Sequence, residues 1–429
     1  MIGVHSAKFP AEQDPANLQA AIQRHELTHP VVADPEMEIW QGYAVRAWPT
    51  LMFVDPAGRV YGKHEGEFPL EPVRLLLREM IAEFGAEGGI DRTPLTLEPL
   101  AAGGGALRFP GNVLADAAGG RLFVADTGHN RIVVASLDGR VQQVAGDGEA
   151  GLVDGGPEVA RFDHPRGMAL DPTGGVLYVA DTENHAIRTI ELATGEVRTV
   201  AGTGEQGDYR GGGPARETVL SSPWDVAYHD GALWIAMAGS HQLWTYDPVA
   251  ETARPAAGTG AESIHDGPLA EATFAQPSGI TALDGLLYVA DSESSAVRRV
   301  DPGTDRVRRL VGRGLFDFGD LDGKGDGVRL QHPLGVCAVR ERGEPVVYVA
   351  DTYNDKIKRL DPRSRAVETR FGGEAHGHAA GAGRAAAFWQ PGGLGVAGRR
   401  CFVADTNNHA IRRIDLDGGT VETVELVGL

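Results

Sequence analysis

The stretch Leu177-Tyr-Val-Ala-Asp-Thr-Glu-Asn-His-Ala-Ile-Arg188 is a short apolar strand pattern that ends in a polar run. Variants recur at Val124-Ala-Asp126, Ile235-Ala-Met237, Val289-Ala-Asp291, Val349-Ala-Asp351 and Val403-Ala-Asp405. The Asp, or the Met that replaces it in the third copy, returns at steps of 55, 56, 54, 60 and 54 residues. Self-similarity at such a period is typical of repeat architectures. The sequence therefore predicts six copies of one structural unit.

Each copy contains the pattern of four short strands. A Pro opens the copy, a Gly-containing strand follows, and the Val-Ala-Asp strand and two further alternating strands complete it. Four antiparallel strands per unit, repeated radially, predict a six-bladed β-propeller over residues 107–429. A large apolar residue lies three positions before each Pro, and we expect it to wedge between blades: Leu107, Phe162, Leu220, Phe274, Leu330 and Phe388.

The motif Ala-Asp-Thr-x-Asn-His-x-Ile-Arg, as at Ala180–Arg188, resembles the NHL repeat. NHL propellers have six blades, so the resemblance implies the same fold as the strand pattern does. The third copy departs from the motif because Met237 replaces Asp and three Trp residues surround it in sequence. Any role that needs six equivalent Asp residues is therefore in doubt.

Strand direction places the polar residues of all copies on one face. The second strand returns to the face where the first began, so its terminal Asp lies on that face. The long Gly-rich loops between blades lie on this face too, and binding residues are often carried by loops on a rigid scaffold. At the channel mouth we predict binding residues among the pre-Pro positions His164, Gln276, His332 and Gln390.

The repeated Asp residues have a structural interpretation. We expect each side chain to accept hydrogen bonds from the N–H groups of its own turn, since Asp commonly does so. These blade-turn residues are Asp126, Asp181, Asp291, Asp351 and Asp405. His164 and His332 do not repeat, and a metal site or a base is the alternative for them. A catalytic zinc site usually has three protein ligands, so no metal is predicted.

Residues 1–86 do not share the repeat and have an α/β pattern. Short strands are predicted at Ile2–Ser6 and Pro30–Ala33, and helices at Asn17–Leu27 and Glu38–Val45. A hairpin follows, with its turn at Asp55–Gly58. An amphipathic helix closes the region, with these residues on its buried side: Val73, Leu76, Leu77, Met80, Ile81 and Phe84. Residues 87–106 are predicted to be a linker, with one possible strand at Leu95–Leu97.

The order of these elements, with Gly3-Val-His-Ser-Ala-Lys-Phe9 and Ala47-Trp48-Pro49-Thr50, resembles the second half of a thioredoxin-like domain. The combination with the propeller resembles the NHL repeat-containing protein 2-like family. The resemblance implies a cis Pro49 in a loop that faces redox cysteines. Those cysteines and the first strands would precede Met1, so we expect a chain shortened at its start. The strands at 2–6 and 51–54 would then either pair directly or leave an unpaired edge.

Composition and charge disfavour several classes of binding function. A net charge of -19 disfavours surfaces for nucleic acid and for anionic lipid. Cys337 and Cys401 are the two cysteines and form no metal-binding motif, which fits a reducing, cytoplasmic location. We find no signal peptide, no membrane-spanning run and no nucleotide-binding motif, so no cofactor is predicted.

The preferred hypothesis is a cytoplasmic scaffold that presents the loop-rich face to a protein partner. The resemblance links it to thiol redox or stress handling, although dithiol chemistry needs thiolates that this chain lacks in its first region. The alternative is a lyase or hydrolase with a metal or substrate site at the channel mouth. RNA binding is a third hypothesis, and the acidic charge weighs against it. The sequence does not predict the oligomeric state or how the ring closes.

Overall fold

The computed structural model describes residues 1–66, 70–86, 88–93, 97, 100, 105–207 and 211–429. Leu95 and Thr96, in the possible linker strand, lie outside the described residues. The chain divides into two compact units, residues 1–102 and 103–429. No helix in the described part is both long and apolar enough to span a membrane.

The second unit is a six-bladed β-propeller. Its blades contain consecutive strands with these bounds: Asn112–Asp116, Arg121–Asp126, Arg131–Ser136 and Val141–Ala145; Pro165–Leu170, Val176–Asp181, Ala186–Glu191 and Val197–Ala201; Pro223–His229, Ala232–Met237, Gln242–Asp247 and Thr252–Ala257; Pro277–Leu283, Leu286–Asp291, Ala296–Asp301 and Arg306–Val311; Gly335–Glu341, Glu344–Asp351, Lys356–Asp361 and Ala366–Phe371; Pro391–Ala397, Arg400–Asp405, Ala410–Asp415 and Thr420–Val424. The predicted architecture is confirmed. In blades 1 and 5 the first strand begins two residues after the Pro.

Six apolar clusters hold neighbouring blades together. Each cluster contains one of the predicted wedge residues, and all six of those side chains are buried. Phe162, for example, packs with Ile132 of blade 1 and with Val179 of blade 2. A blade alone would leave these side chains in water, so radial stacking is what buries the core.

The incoming loops reach the outer edge of each blade before they turn to the axis. Short strands add to the fourth strand of blades 3, 5 and 6 at Gly213–Pro214, Gly323–Lys324 and Gly381–Ala382. Single bridges do the same in blades 2 and 4, at Gly155 and Gly267. In blade 1 the C-terminal segment takes this place, with Val427 bridged to Arg140.

Ring closure uses a hydroxyl-to-carbonyl hydrogen bond that the 1–2, 2–3, 4–5 and 5–6 blade junctions also have. Thr127 Oγ1 of blade 1 donates to the carbonyl of Pro165 in blade 2 at 2.7 Å. Thr406 of blade 6 donates in the same way to Pro110 of blade 1 at 2.9 Å. No strand is exchanged between the first and last blades in the described part of the chain, since each blade consists of consecutive strands.

The first unit contains two separate two-stranded sheets. Gly3–His5 pairs in parallel with Val31–Ala33, and Thr50–Val54 pairs in antiparallel fashion with Val60–Glu65. Its helices are Pro15–Arg24, Glu38–Gly42 and Leu70–Ala86. The strands at 3–5 and 50–54 do not pair with each other, so of the two predicted outcomes the unpaired edge is the one observed. The Trp48–Pro49 peptide bond is cis, and the thioredoxin-like assignment of this unit stays a prediction.

The predicted buried side of the last helix is partly wrong. Val73, Leu76 and Phe84 are half-buried and Met80 is buried, but Leu77 is 43% and Ile81 51% exposed. Phe84 contacts Tyr61 of the hairpin at a ring-centroid distance of 6.0 Å. The hairpin covers part of one side of the helix and leaves Leu77 and Ile81 in solvent.

Candidate functional site at the channel mouth

The repeated Asp residues join the end of the second strand to the segment before the Pro. One carboxylate oxygen of Asp181 accepts the backbone N–H of Asp163 at 2.8 Å. The other blades repeat this bond at 2.6 to 2.8 Å: Asp126 with Arg108, Asp291 with Ala275, Asp351 with Gln331 and Asp405 with Trp389. The prediction that each Asp binds the N–H groups of its own turn is therefore wrong. The carboxylate instead fixes the entry of the inner strand beside the mouth.

The second oxygen of each Asp pairs with a cation. In four blades this is a buried residue seven positions later: Arg188 at 2.7 Å, Arg298 at 3.1 Å, Lys358 at 3.3 Å and Arg412 at 3.0 Å. In blade 1 it is Arg131 at 2.8 Å. Burial raises the pKa of Asp181 to about 6, and the Arg188 charge opposes that rise. The sequence analysis did not predict this Asp–cation pair. The spacing of seven residues between Asp and cation in four of the blades was visible in the sequence.

The buried cation also holds the inter-blade loop. Arg188 donates to the carbonyl of Val153 at 2.8 Å and to Asp154 at 3.0 Å. Asp154 accepts in turn from the backbone and hydroxyl of Thr199. Arg298 with Asp266, and Lys358 with Asp322, repeat the arrangement. These bonds tie the Gly-rich loops to the third and fourth strands of their blades.

Blade 3 replaces both members of the ion pair. Met237 takes the place of the Asp, and the fully buried Trp244 takes the place of the Arg. The sulfur of Met237 accepts the N–H of Ser221 at 3.3 Å. Trp244 donates to Gln242 at 3.1 Å. The charges disappear together, which avoids an unpaired buried charge.

All six pre-Pro residues have left-handed backbone, with φ between 46° and 54°. Each donates its N–H to the side chain of a turn residue in the preceding blade. His185 and His409 are two of these acceptors, through Nδ1 at 3.0 Å in each case. Burial lowers the pKa of both imidazoles, which favours the neutral acceptor form. These two histidines are therefore part of the blade junction.

The predicted binding residues have different neighbours. His164 Nδ1 lies 2.7 Å from Asp163 Oδ1. His332 stacks on Tyr353 with a centroid distance of 4.5 Å, and its Nδ1 lies 3.4 Å from Glu293. The side chain of Gln390 is buried and accepts from Asn407 at 3.1 Å. Gln276 is half-buried.

These four residues form no common coordination sphere in the structure. Within the described residues, no three His, Cys, Asp or Glu side chains are grouped as a metal site would need. Their role at the mouth stays a prediction.

An acid–amide contact crosses the propeller axis. Asn112 Nδ2 donates to Asp225 Oδ1 at 3.2 Å, and the N–H of Ile280 donates to Asp225 Oδ2 at 3.0 Å. A Cβ at Gly167 would lie 2.1 Å from Asp225 Oδ1, and one at Gly393 would lie 1.8 Å from Asn112 Oδ1. The inner strands thus approach closely enough that two polar side chains fill the axis at this level. Burial raises the pKa of Asp225 to about 7.

Comparison with known proteins agrees with the propeller fold. The family model for the NHL repeat matches residues 162–190, which belong to blade 2. NHL repeat-containing protein 2 from Bos taurus is 40% identical over 98% of this chain. The Arabidopsis thaliana protein SUPPRESSOR OF QUENCHING 1, chloroplastic, is 40% identical over 100% of it.

The chain belongs to the NHL repeat-containing protein 2-like family. It spans 62% of the length of the bovine relative and 42% of the Arabidopsis one. A solved structure of a Bacteroides thetaiotaomicron protein of unknown function superimposes with a TM-score of 0.54 at 14% identity, covering 74% of this chain and 70% of that one. At this identity the superposition supports the propeller fold alone.

Proposed function

We propose that this NHL-repeat protein is an interaction scaffold whose loop-rich face binds a protein partner. The observation that carries the proposal is the clamping of the inter-blade loops by buried cations, as in the contacts of Arg188 with Val153 and Asp154. A loop held in one conformation loses little conformational entropy on binding, which favours a stable interface. The non-repeating side chains of the face would then give specificity.

The setting that we propose is thiol redox or stress handling. It rests on the thioredoxin-like resemblance of residues 1–86, and the chain itself would not be thiol-active. We also propose a cytoplasmic location, which fractionation of cells expressing the tagged chain would test. Recovery with organelles would contradict it, as the chloroplastic relative illustrates.

The scaffold proposal is tested with the full chain as bait. Glu183 is exposed on the loop-rich face, and Glu251 is exposed on the opposite face of blade 3. We expect Glu183→Arg to remove partners that wild type captures, as quantified by mass spectrometry, and Glu251→Arg to retain them. Equal capture by both variants, with both folded by circular dichroism, would contradict the proposed face.

An alternative function is a lyase or hydrolase at the channel mouth. The observation in its favour is the hydrogen bond between His164 and Asp163, since a carboxylate orients an imidazole that acts as a base. A substrate that binds there should raise the melting temperature of wild type and lose that effect in His164→Ala. Turnover that survives His164→Ala unchanged would exclude this role for the residue.

A further inference from the structure

One cross-strand pair of the outer strands differs in charge between blades. The equivalent residues of the third and fourth strands face each other directly in this register: Thr189 and Arg198 in blade 2, Thr245 and Arg254 in blade 3, Arg299 and Arg308 in blade 4, Arg359 and Glu368 in blade 5, and Arg413 and Glu422 in blade 6. Blades 5 and 6 therefore place opposite charges together. Blade 4 places two arginines together.

The two arginines of the blade 4 pair should repel each other. Like charges directly opposite each other destabilise a sheet. Arg413 and Glu422 are 2.6 Å apart in blade 6, whereas neither Arg299 nor Arg308 has an ion pair in the described part of the chain. Arg299 is half-buried and Arg308 is exposed. Among the described residues, this cross-strand pair of arginines is thus left without a carboxylate at ion-pair distance.

The pair lies on the side of blade 4 that faces blade 5. Tyr288 is opposite Arg299 in the same row of side chains and packs in the apolar cluster between these blades. Thr281 continues the row and accepts the N–H of Ala338 in blade 5. Arg308 is therefore at the exposed outer end of a row of side chains whose inner part is covered by apolar packing.

The charges near Arg299 and Arg308 limit the kind of anion that this pair can bind. Burial raises the pKa of Tyr288, and the charges of Arg299, Asp284 and Arg363 also act on it. Asp284 is paired with Arg340 at 2.8 Å, and Arg363 is paired with Glu344. Together with the net charge of -19, these carboxylates repel an extended polyanion such as nucleic acid. A compact anion avoids that repulsion.

We propose that Arg299 and Arg308 bind the phosphoryl group of a phosphate monoester on the outer part of blade 4, on the side that faces blade 5. Directly opposite residues have Cβ atoms about 5 Å apart, so two guanidinium groups can approach one tetrahedral oxyanion from both sides. Arginine matches phosphate geometry through paired N–H donors. A phosphoryl group carries a charge close to -2 at neutral pH and would neutralise the repulsion between the arginines. This site is separate from the loop-rich face and does not depend on the scaffold proposal.

Calorimetry with the full chain tests the site, using inorganic phosphate, a phosphoserine peptide and the same peptide without phosphate. We expect the first two ligands to bind and the third not to bind. Arg308→Glu should weaken phosphate binding about tenfold or more, and the exposed Arg198→Glu in blade 2, which changes net charge equally, should leave it within about twofold. Arg308→Glu recreates the pair of blades 5 and 6, so its melting temperature should equal or exceed that of wild type.

The two sources of phosphate are distinguished by affinity. Tighter binding of the phosphopeptide than of inorganic phosphate would identify a phosphorylated protein, and equal binding would identify a small phosphate ester. Both outcomes support the site. Absence of binding to wild type at millimolar phosphate and low ionic strength, or equal loss in Arg308→Glu and Arg198→Glu, would overturn it.

Discussion

Asn112 of blade 1 reaches Asp225 of blade 3, with 3.2 Å between Nδ2 and Oδ1. The carboxylate is 7% exposed and also accepts the N–H groups of Val226 and Ile280. No cation pairs with it among the described residues. A buried carboxylate with neutral donors only is costly to ionise.

The pH dependence of stability should reveal this cost. Asp225 has a pKa of about 7 in the folded state and 3.8 as its ordinary value, chiefly because of burial. Between these two pKa values the folded state keeps a proton that the unfolded chain releases. The free energy of unfolding is therefore highest below pH 3.8 and falls as pH rises to about 7. We expect Asp225→Asn to remove on the order of 3 kcal/mol of the loss between about pH 5 and about pH 8.

Urea unfolding of wild type and Asp225→Asn at both pH values measures this difference. Other buried carboxylates titrate in both proteins, so the difference between the two curves isolates Asp225. Parallel curves for the two proteins would show that Asp225 does not titrate in this range.

The ion pair of blade 2 should depend on both of its members. Arg188→Trp leaves Asp181 buried without its cation, which should cost about 3–5 kcal/mol of unfolding free energy. The double change Asp181→Met with Arg188→Trp copies the residues of blade 3. We expect it to cost less than the sum of the single changes by more than about 1 kcal/mol. Additive costs in urea titrations would contradict coupling between the positions.

The closing junction of the ring should be as strong as an internal one. Thr406→Val removes the hydrogen bond to the Pro110 carbonyl, and Thr182→Val removes the equivalent bond to Pro223. Both changes keep the side-chain volume and should lower the unfolding free energy by about 1–2 kcal/mol. A much larger loss for Thr406→Val, measured by thermal unfolding, would identify the closing junction as the critical one.

Both cysteines should be unreactive in the native protein. Burial raises the pKa of Cys337 to about 12 and that of Cys401 well above its ordinary value. The thiolate is the reactive form, so a disulfide reagent at mildly alkaline pH should label neither thiol until denaturant is added. Rapid labelling of the buried Cys401 or of the half-buried Cys337 in folded protein would contradict this prediction.

The repeat made most of the propeller predictable. Six spaced copies fixed the blade count, the strand order and the wedge residues such as Phe162, because each is dictated by a local pattern. The bonds of Asp181 were predicted incorrectly, since its partners lie 18 residues earlier and seven residues later and are brought together by the loop and third strand. Tertiary contacts of this kind replace the local turn bonds that Asp makes by default.

Non-repeating residues were the hardest to predict. Asp225 stands where four other copies have Gly, yet nothing in the sequence indicates that Asn112 reaches it across the axis. The Arg299–Arg308 pair requires the strand register, which hydrophobic alternation does not fix to a single residue. The flanks of the helix at 70–86 were predicted as buried because its apolar stripe is wider than the surface that covers it.

The bridge between Val427 and Arg140 gives blade 1 the outer contact that loops give the other blades. The junction between blades 6 and 1 is thus held at the outer edge as well as by the bond of Thr406 to Pro110. A circularly permuted chain that opens between any other two blades would have the same contacts to make.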